Sequence, residues 1–357
     1  MDGILRLSVL DQAPVAEGST PAEALGRSVD LARHAEALGF HRFWMSEHHA
    51  MQTLACTAPE VVLARVGAAT SRIRLGSGGI MLPHYAAFKV AEQFRTLHAL
   101  YPDRIDLGIG RAPGGGPVES LALRRERRVQ PVDDFADQLS ELLAFLGEGA
   151  EFPAGHPFAR VSVQPEAPGG PDVWLLGSSM WSAHAAAEFG LPYAFAHFFS
   201  PLPTRAAIET YQRAFVPSTY RAAPEAMAAV GVICAETAEE AAYLGASVRL
   251  LQQRIRMGDR WPVAEPSAAL RELGGSPIQG ASGEEGEWPR YFVGTPEDVG
   301  RRLRAMAGDL HLNELVVNSI IWDHAARLRS YSLLAKEMGL TSAGPVGAMV
   351  EELVPTA

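Results

Sequence analysis

The chain has 357 residues, 47% of them hydrophobic and 20% charged, with a formal charge of −10 at pH 7. That length and apolar content exclude a disordered or fibrous protein, and the acidic balance argues against a general nucleic-acid or anionic-membrane surface. Two cysteines, Cys56 and Cys234, are too few for a disulfide framework or a zinc cluster. The opening residues MDGILRLSVLDQ lack a basic start leading into an apolar segment and a cleavage site, and no apolar run approaches the roughly 20 residues that span a bilayer. A cytoplasmic enzyme is the expectation, with no membrane or nucleic-acid partner.

Short β-rich apolar runs alternate with amphipathic helical stretches along nearly the whole length. Strands are expected at residues 5–11, 40–47, 73–82, 105–112, 172–178, 192–199, 227–235 and 314–321. The clearest helix is Pro21–Leu38, where Ala24, Val29, Leu31, Ala32 and Ala35 lie on one stripe. Ser19 or Thr20 can cap it, Pro21 suits its first turn and Gly39 ends it. Eight such units predict one (β/α)8 TIM barrel over residues 1–357 rather than an open doubly wound sheet. Residues 147–171 and 257–290 break the rhythm and are expected to be insertions, the second placed to cover the catalytic mouth.

Chemistry in such barrels sits at the carboxyl ends of the strands. After the second strand stand Glu47, His48 and His49; one imidazole suits acid–base or oxyanion work, the ordinary reading being one buried and one solvated His. A metal site is a weak alternative, because adjacent residues of an extended segment point to opposite faces. The third strand contains Gly76, Gly78 and Gly79, which fit either a flat ligand lying on the backbone or a bulge. The fourth ends in Arg111 before a glycine-rich loop, which can bind phosphate in a fork or simply pair with a nearby loop. It matches neither the phosphate-loop spacing nor a dinucleotide fingerprint. The fifth leads into a helix through Ser178, Ser179 and Ser182, hydroxyls that can cradle an anion at the helix head or merely cap it. Arg111 and these serines together favour one phosphate.

The strings WMSEHH (44–49), LGSGGIMLP (75–83), DRIDLGIGRAPG (103–114), LGSSMWSAHAAAEFGLP (176–192) and VGTPE (293–297) occur in this order. They resemble the bacterial luciferase-like family of flavin-dependent monooxygenases. The resemblance implies a (β/α)8 barrel that takes reduced FMN (FMNH2) from a partner NAD(P)H:FMN reductase, forms a C4a-hydroperoxyflavin with O2 and puts one oxygen atom into a small organic substrate, an aldehyde or a natural-product-like molecule. It implies His48 as the residue assisting flavin–oxygen chemistry, and Gly78 and Gly79 as the small pair against the flavin ring, joined in many members by a non-prolyl cis peptide. It further implies Arg111 at the phosphate, with Ser178, Ser179 and Ser182 around it. His197 falls where the light-emitting luciferases carry a tryptophan near the flavin, a departure that argues against luminescence. His197, Phe199 and Trp288 are candidate substrate-pocket residues, although aromatic residues at such positions are more often ordinary packing. Family members are commonly dimeric, which implies a homodimer through the helices at 58–69 and 86–100. An F420-dependent hydride-transfer enzyme on the same fold is the nearest alternative, followed by a non-catalytic flavin-binding protein and, last, a metal-dependent hydrolase using His48 and His49.

Overall fold

The computed structural model describes residues 5–123, 133–147, 151–275 and 286–341. The basic run Arg124, Arg125, Arg127 and Arg128, read from the sequence as a solvated face, lies outside the described residues, as do residues 276–285 of the second insertion. In chain order the strands are β1 (Arg6–Asp11), β2 (Arg42–Met45), β3 (Arg74–Met81), β4 (Ile105–Gly110), β5 (Asp172–Gly177), β6 (Tyr193–Phe195), β7 (Ala226–Cys234), β8 (Tyr291–Gly294) and β9 (Glu314–Asn318). The helices are α1 (Pro21–Leu38), α2 (Pro59–Gly67), α3 (Ala87–Leu100), α4 (Pro117–Leu123), α5 (Phe135–Leu146), α6 (Met180–Glu188), α7 (Thr204–Ala214), α8 (Ala238–Met257), α9 (Pro266–Glu272), α10 (Pro296–Asp309) and α11 (His324–Glu337).

All pairings among the named strands are parallel. From β1 to β7 each strand pairs with the next; β7 then pairs with β9, and β9 returns to β1, so eight strands close a (β/α)8 barrel. The strand β8, which the sequence pattern did not reveal, pairs with Gly231–Cys234 at the C-terminal end of β7, while β9 covers Ala228–Gly231. Four residues following a glycine- and proline-rich stretch carry too little periodicity to be read as a strand. Likewise α9 lies inside the stretch 257–290 that showed little helical pattern.

Local chemistry explains where the elements begin and end. Thr20 caps α1 by accepting from the Glu23 N–H, the Glu23 carboxylate accepts in return from the Thr20 N–H, and Gly39 closes the helix with φ 90°, a conformation free of Cβ strain only in glycine. Alternation along the strands sorts residues between two cores. Odd positions of the first three strands, such as Leu7, Val9, Phe43 and Leu75, pack against the helices. Even positions of these strands face inward, where Leu10 and Trp44 fill the barrel together with Trp174, Met227 and Val316 from other strands. One layer nearer the N-terminal end the interior is charged. Arg42 lies 2.9 Å from Glu314 and 3.0 Å from Asp106, and Asp106 also accepts from the Trp44 indole N–H at 2.9 Å and from Arg74. Gly76 makes room for this packing, since a Cβ there would lie 2.6 Å from Trp44 Nε1.

Candidate active site at the C-terminal mouth

The residues singled out from the sequence gather at the C-terminal end of this barrel, each placed by its own strand. Beyond β2 the chain stays extended enough to keep its alternation, so Ser46 pairs with His48 (Oγ to Nδ1, 3.2 Å) while Glu47 pairs with His49 (Oε1 to Nε2, 2.6 Å). The two imidazoles therefore do not converge on one point. Burial, reinforced by the neighbouring His49, pushes the His48 pKa down to about 4, so at neutral pH the ring is an uncharged imidazole. Its Nε2 has no protein partner among the described residues.

The structure gives Glu47 a definite role. It is fully buried and accepts from the Tyr85 hydroxyl at 2.5 Å and from the Met81 N–H at 2.9 Å, besides contacting His49. The His49 N–H in turn donates to the Gly114 carbonyl, and His84 Nε2 lies 2.7 Å from the Pro113 carbonyl. One buried carboxylate thus ties the ends of β2 and β3 to the glycine-rich loop behind Arg111. The sequence signal was an acid between Ser46 and His48 at a strand end, without the tyrosine that completes it.

The peptide between Gly78 and Gly79 is cis. A Cβ at Gly78 would lie 2.6 Å from Leu10 Cδ1, and one at Gly79 would lie 2.8 Å from the Gly108 carbonyl oxygen. The protein's own packing therefore requires both glycines, and the register with β4 shifts there as well. The bulge reading holds.

Arg111 and the head of α6 come together. The guanidinium carbon sits 3.9 Å above the Trp181 ring, in the first turn of α6, and Nη1 is 3.0 Å from the exposed Asp133 carboxylate. Ser179 is the N-cap, and the helix leaves the Met180 and Trp181 amides without an intrahelical carbonyl. Ser178 is half-buried and Ser179 exposed at this corner. Ser182 is different: its buried hydroxyl donates to the Ser179 carbonyl at 2.7 Å and lies 2.9 Å from the Tyr193 hydroxyl. That residue is committed to the cap: its N–H donates to the Ser179 side chain and its hydroxyl serves the Ser179 backbone.

The substrate-pocket candidates do not form one wall. His197 is fully buried with both nitrogens engaged, Nδ1 at 2.7 Å from Thr204 Oγ1 and Nε2 at 3.0 Å from the Pro289 carbonyl, and burial pushes its pKa down to about 4. It ties the loop after β6 to the approach of β8. Trp288 is also buried, edge-on to His197 and beneath Arg205. Phe199 alone is open, 66% exposed.

Among the described residues, an arginine whose one carboxylate partner is exposed, beside a helix head and with a neutral imidazole at the same end of the barrel, forms a donor set suited to a phosphate-bearing ligand. Sequence comparison identifies the group of proteins. The profile of the luciferase-like monooxygenases matches residues 5–310. The chain belongs to the luciferase-like monooxygenase family. A luciferase-like monooxygenase of this kind is an enzyme of oxygen chemistry, and the family's barrel is the one described above. Among relatives, the chain is 43% identical to the uncharacterized protein YwcH of Bacillus subtilis over 334 residues, covering 93% of this chain and 98% of YwcH. It is 37% identical to the N-acetyl-S-alkylcysteine monooxygenase of the same organism over 337 residues, covering 93% and 98% of the two chains. The crystal structure of apo-MsnO8 superposes with a TM-score of 0.86 at 47% identity, over 94% of this chain and 99% of that one. The fold alone is shared with the oxygenating constituent of 3,6-diketocamphane monooxygenase in complex with FMN (TM-score 0.68, 19% identity, 94% and 98% covered). It is shared too with an F420-dependent secondary alcohol dehydrogenase (TM-score 0.59, 13% identity, 93% and 97% covered).

Proposed function

We propose that this luciferase-like monooxygenase uses reduced FMN, delivered by a separate NAD(P)H:FMN reductase, to place one atom of O2 in a small organic substrate such as an aldehyde or a natural-product-like molecule. The convergence of Arg111 with the head of α6 carries the reading, because an arginine edge beside open helix amides suits the terminal phosphate of FMN. When bound, the reduced flavin supplies the electrons that activate dioxygen. Arg111, Ser178 and Ser179 hold the phosphate; Gly78 and Gly79 let the ring approach the backbone. In this reading the Ser46 hydroxyl donates to His48 Nδ1, which leaves the proton on Nε2 as a hydrogen-bond donor toward the reacting oxygen. With its pKa near 4, His48 orients and stabilises rather than acting as a charged acid, a narrower role than the resemblance suggested.

The same reading makes the protein a cytoplasmic homodimer joined through α2 and α3, on which Val61 and Leu100 are exposed. Both cysteines are buried free thiols with pKa values pushed up to about 12 by burial, which suits a reducing compartment. No helix among the described residues is long and apolar enough to cross a membrane.

Anaerobic mixing of the purified protein with FMNH2 and with reduced F420, followed by oxygen uptake with a flavin reductase, NADH and a panel of aldehydes and polycyclic natural products, tests the proposal. FMNH2 binding and substrate-dependent uptake with one labelled oxygen atom in the product are expected. Preference for F420 would replace oxygenation with hydride transfer, and FMN binding with oxygen lost only as hydrogen peroxide would leave a flavin carrier.

A further inference from the structure

The Arg111 corner contains a residue with no role assigned so far. Arg111 follows β4 and precedes a glycine-rich loop, and the carboxylate it meets, Asp133, is 66% exposed on its side chain. An exposed pair of this kind holds a long side chain only weakly. The guanidinium nevertheless lies 3.9 Å over the indole of Trp181, and Trp181 is itself braced edge-on by the buried Phe135, centroid to centroid 5.5 Å at 76°. Stacking uses the face of a guanidinium and leaves its edge, with the N–H donors, available for an anion. Trp181 belongs to the first turn of α6, so the shelf that carries the arginine also carries the open amides.

We propose that Trp181 is a positioning residue of the flavin phosphate site: braced by Phe135, its indole holds Arg111 flat so that the arginine edge, now facing Asp133, is presented to the phosphate beside the head of α6. The inference rests on the assignment of Arg111 to the FMN phosphate. Trp181 acts through the arginine, so its removal weakens only ligands that carry the phosphate, and only while Arg111 is present.

The test is the dissociation constant of FMN and of riboflavin, measured by flavin fluorescence, for the intact chain, Trp181→Ala, Trp181→Phe, Arg111→Ala and the Trp181→Ala/Arg111→Ala double variant. Trp181→Ala is expected to weaken FMN by about 3- to 30-fold and leave riboflavin unchanged, as cation–π strengths imply. Trp181→Phe, which keeps an aromatic face, should recover most of the FMN affinity, and the double variant should bind FMN no more weakly than Arg111→Ala alone. Equal losses for FMN and riboflavin, or a full additional loss in the double variant, would overturn the role of Trp181. If Trp181→Ala does not fold, unaltered FMN affinity in Trp181→Leu would do the same. Should Arg111→Ala bind FMN as tightly as the intact chain, the phosphate assignment itself fails, a result distinct from failure of Trp181 alone.

Discussion

The two ends of the barrel are built from the same strands and handle an arginine in opposite ways. At the N-terminal end Arg42 is 5% exposed on its side chain and has Glu314, Asp106, Asp172 and Glu225 within 4.0 Å. At the mouth Arg111 is 38% exposed and has one exposed carboxylate and the face of an indole. A buried arginine surrounded by carboxylates inside the barrel holds the fold together. An arginine resting on a ring, with donors to spare, can take a ligand. Burial separates the two roles, and each can be challenged on its own.

The largest effect is expected at the closed end. Arg42→Met leaves Asp106 and Glu314 buried with fewer partners, and should cost about 3–5 kcal/mol in urea unfolding while the folded fraction keeps its FMN affinity. A loss below about 1 kcal/mol would erase the contrast between the ends. At the mouth, His48→Asn should leave FMN binding within about 2-fold and slow oxygenation about 100-fold, the usual consequence of losing one aimed donor; unchanged turnover would remove His48 from the mechanism. Arg111→Ala should weaken FMN by about 10- to 100-fold, the worth of a charge-assisted hydrogen bond, and shift unfolding by no more than about 0.5 kcal/mol. A large stability loss there would make Arg111 a second Arg42. Smallest is Ser182→Ala, about 1 kcal/mol from the lost cap bond, with FMN affinity essentially unaltered because its hydroxyl already serves Ser179 and Tyr193.

Acid probes the C-terminal end in another way. His48 and His197 have folded pKa values near 4, below the roughly 6.5 of an unfolded His, so the unfolded chain binds more protons between those limits. Stability contributed by keeping both rings neutral is complete above pH 6.5 and is lost as pH falls toward 4. Denaturant midpoints measured between pH 7 and 4 should decline for the intact chain and less steeply for His197→Asn; parallel curves would show that His197 is not held neutral. Between pH 5.5 and 8, no inflection in turnover should belong to His48.

Much of this was legible in the residues. The bounds Pro21–Leu38 follow from a capping threonine, a proline in the first turn and a closing glycine, signals that act within a few residues. All eight ring strands were readable because each lies in an apolar run between helical stretches, even where, as in β2 and β6, only four or three residues pair. The strand β8 was not, since four residues carry little pattern and its partner, the C-terminal end of β7, is far away in sequence. The charged layer around Arg42 escaped notice although polar residues stand at inward positions near the start of several strands: Ser8, Arg42, Asp106 and Glu314 meet only once the ring closes. At the mouth, Arg111 and Ser178 announced themselves by motif, whereas Trp181 and Tyr85 act through a ring face and a single hydroxyl that look like ordinary packing in a linear string. His197 drew attention through the resemblance alone, and its hydrogen bond to the carbonyl of Pro289, 92 positions away, could not be read from the string.

The most direct measurement is a crystal structure of the protein with FMN. The account predicts the phosphate about 3 Å from the Arg111 edge and the first amides of α6, with Asp133 displaced, and the flavin ring over Gly78 and Gly79 within reach of His48 Nε2. A phosphate bound elsewhere, with Asp133 still on Arg111 and the glycine floor covered by side chains, would contradict it.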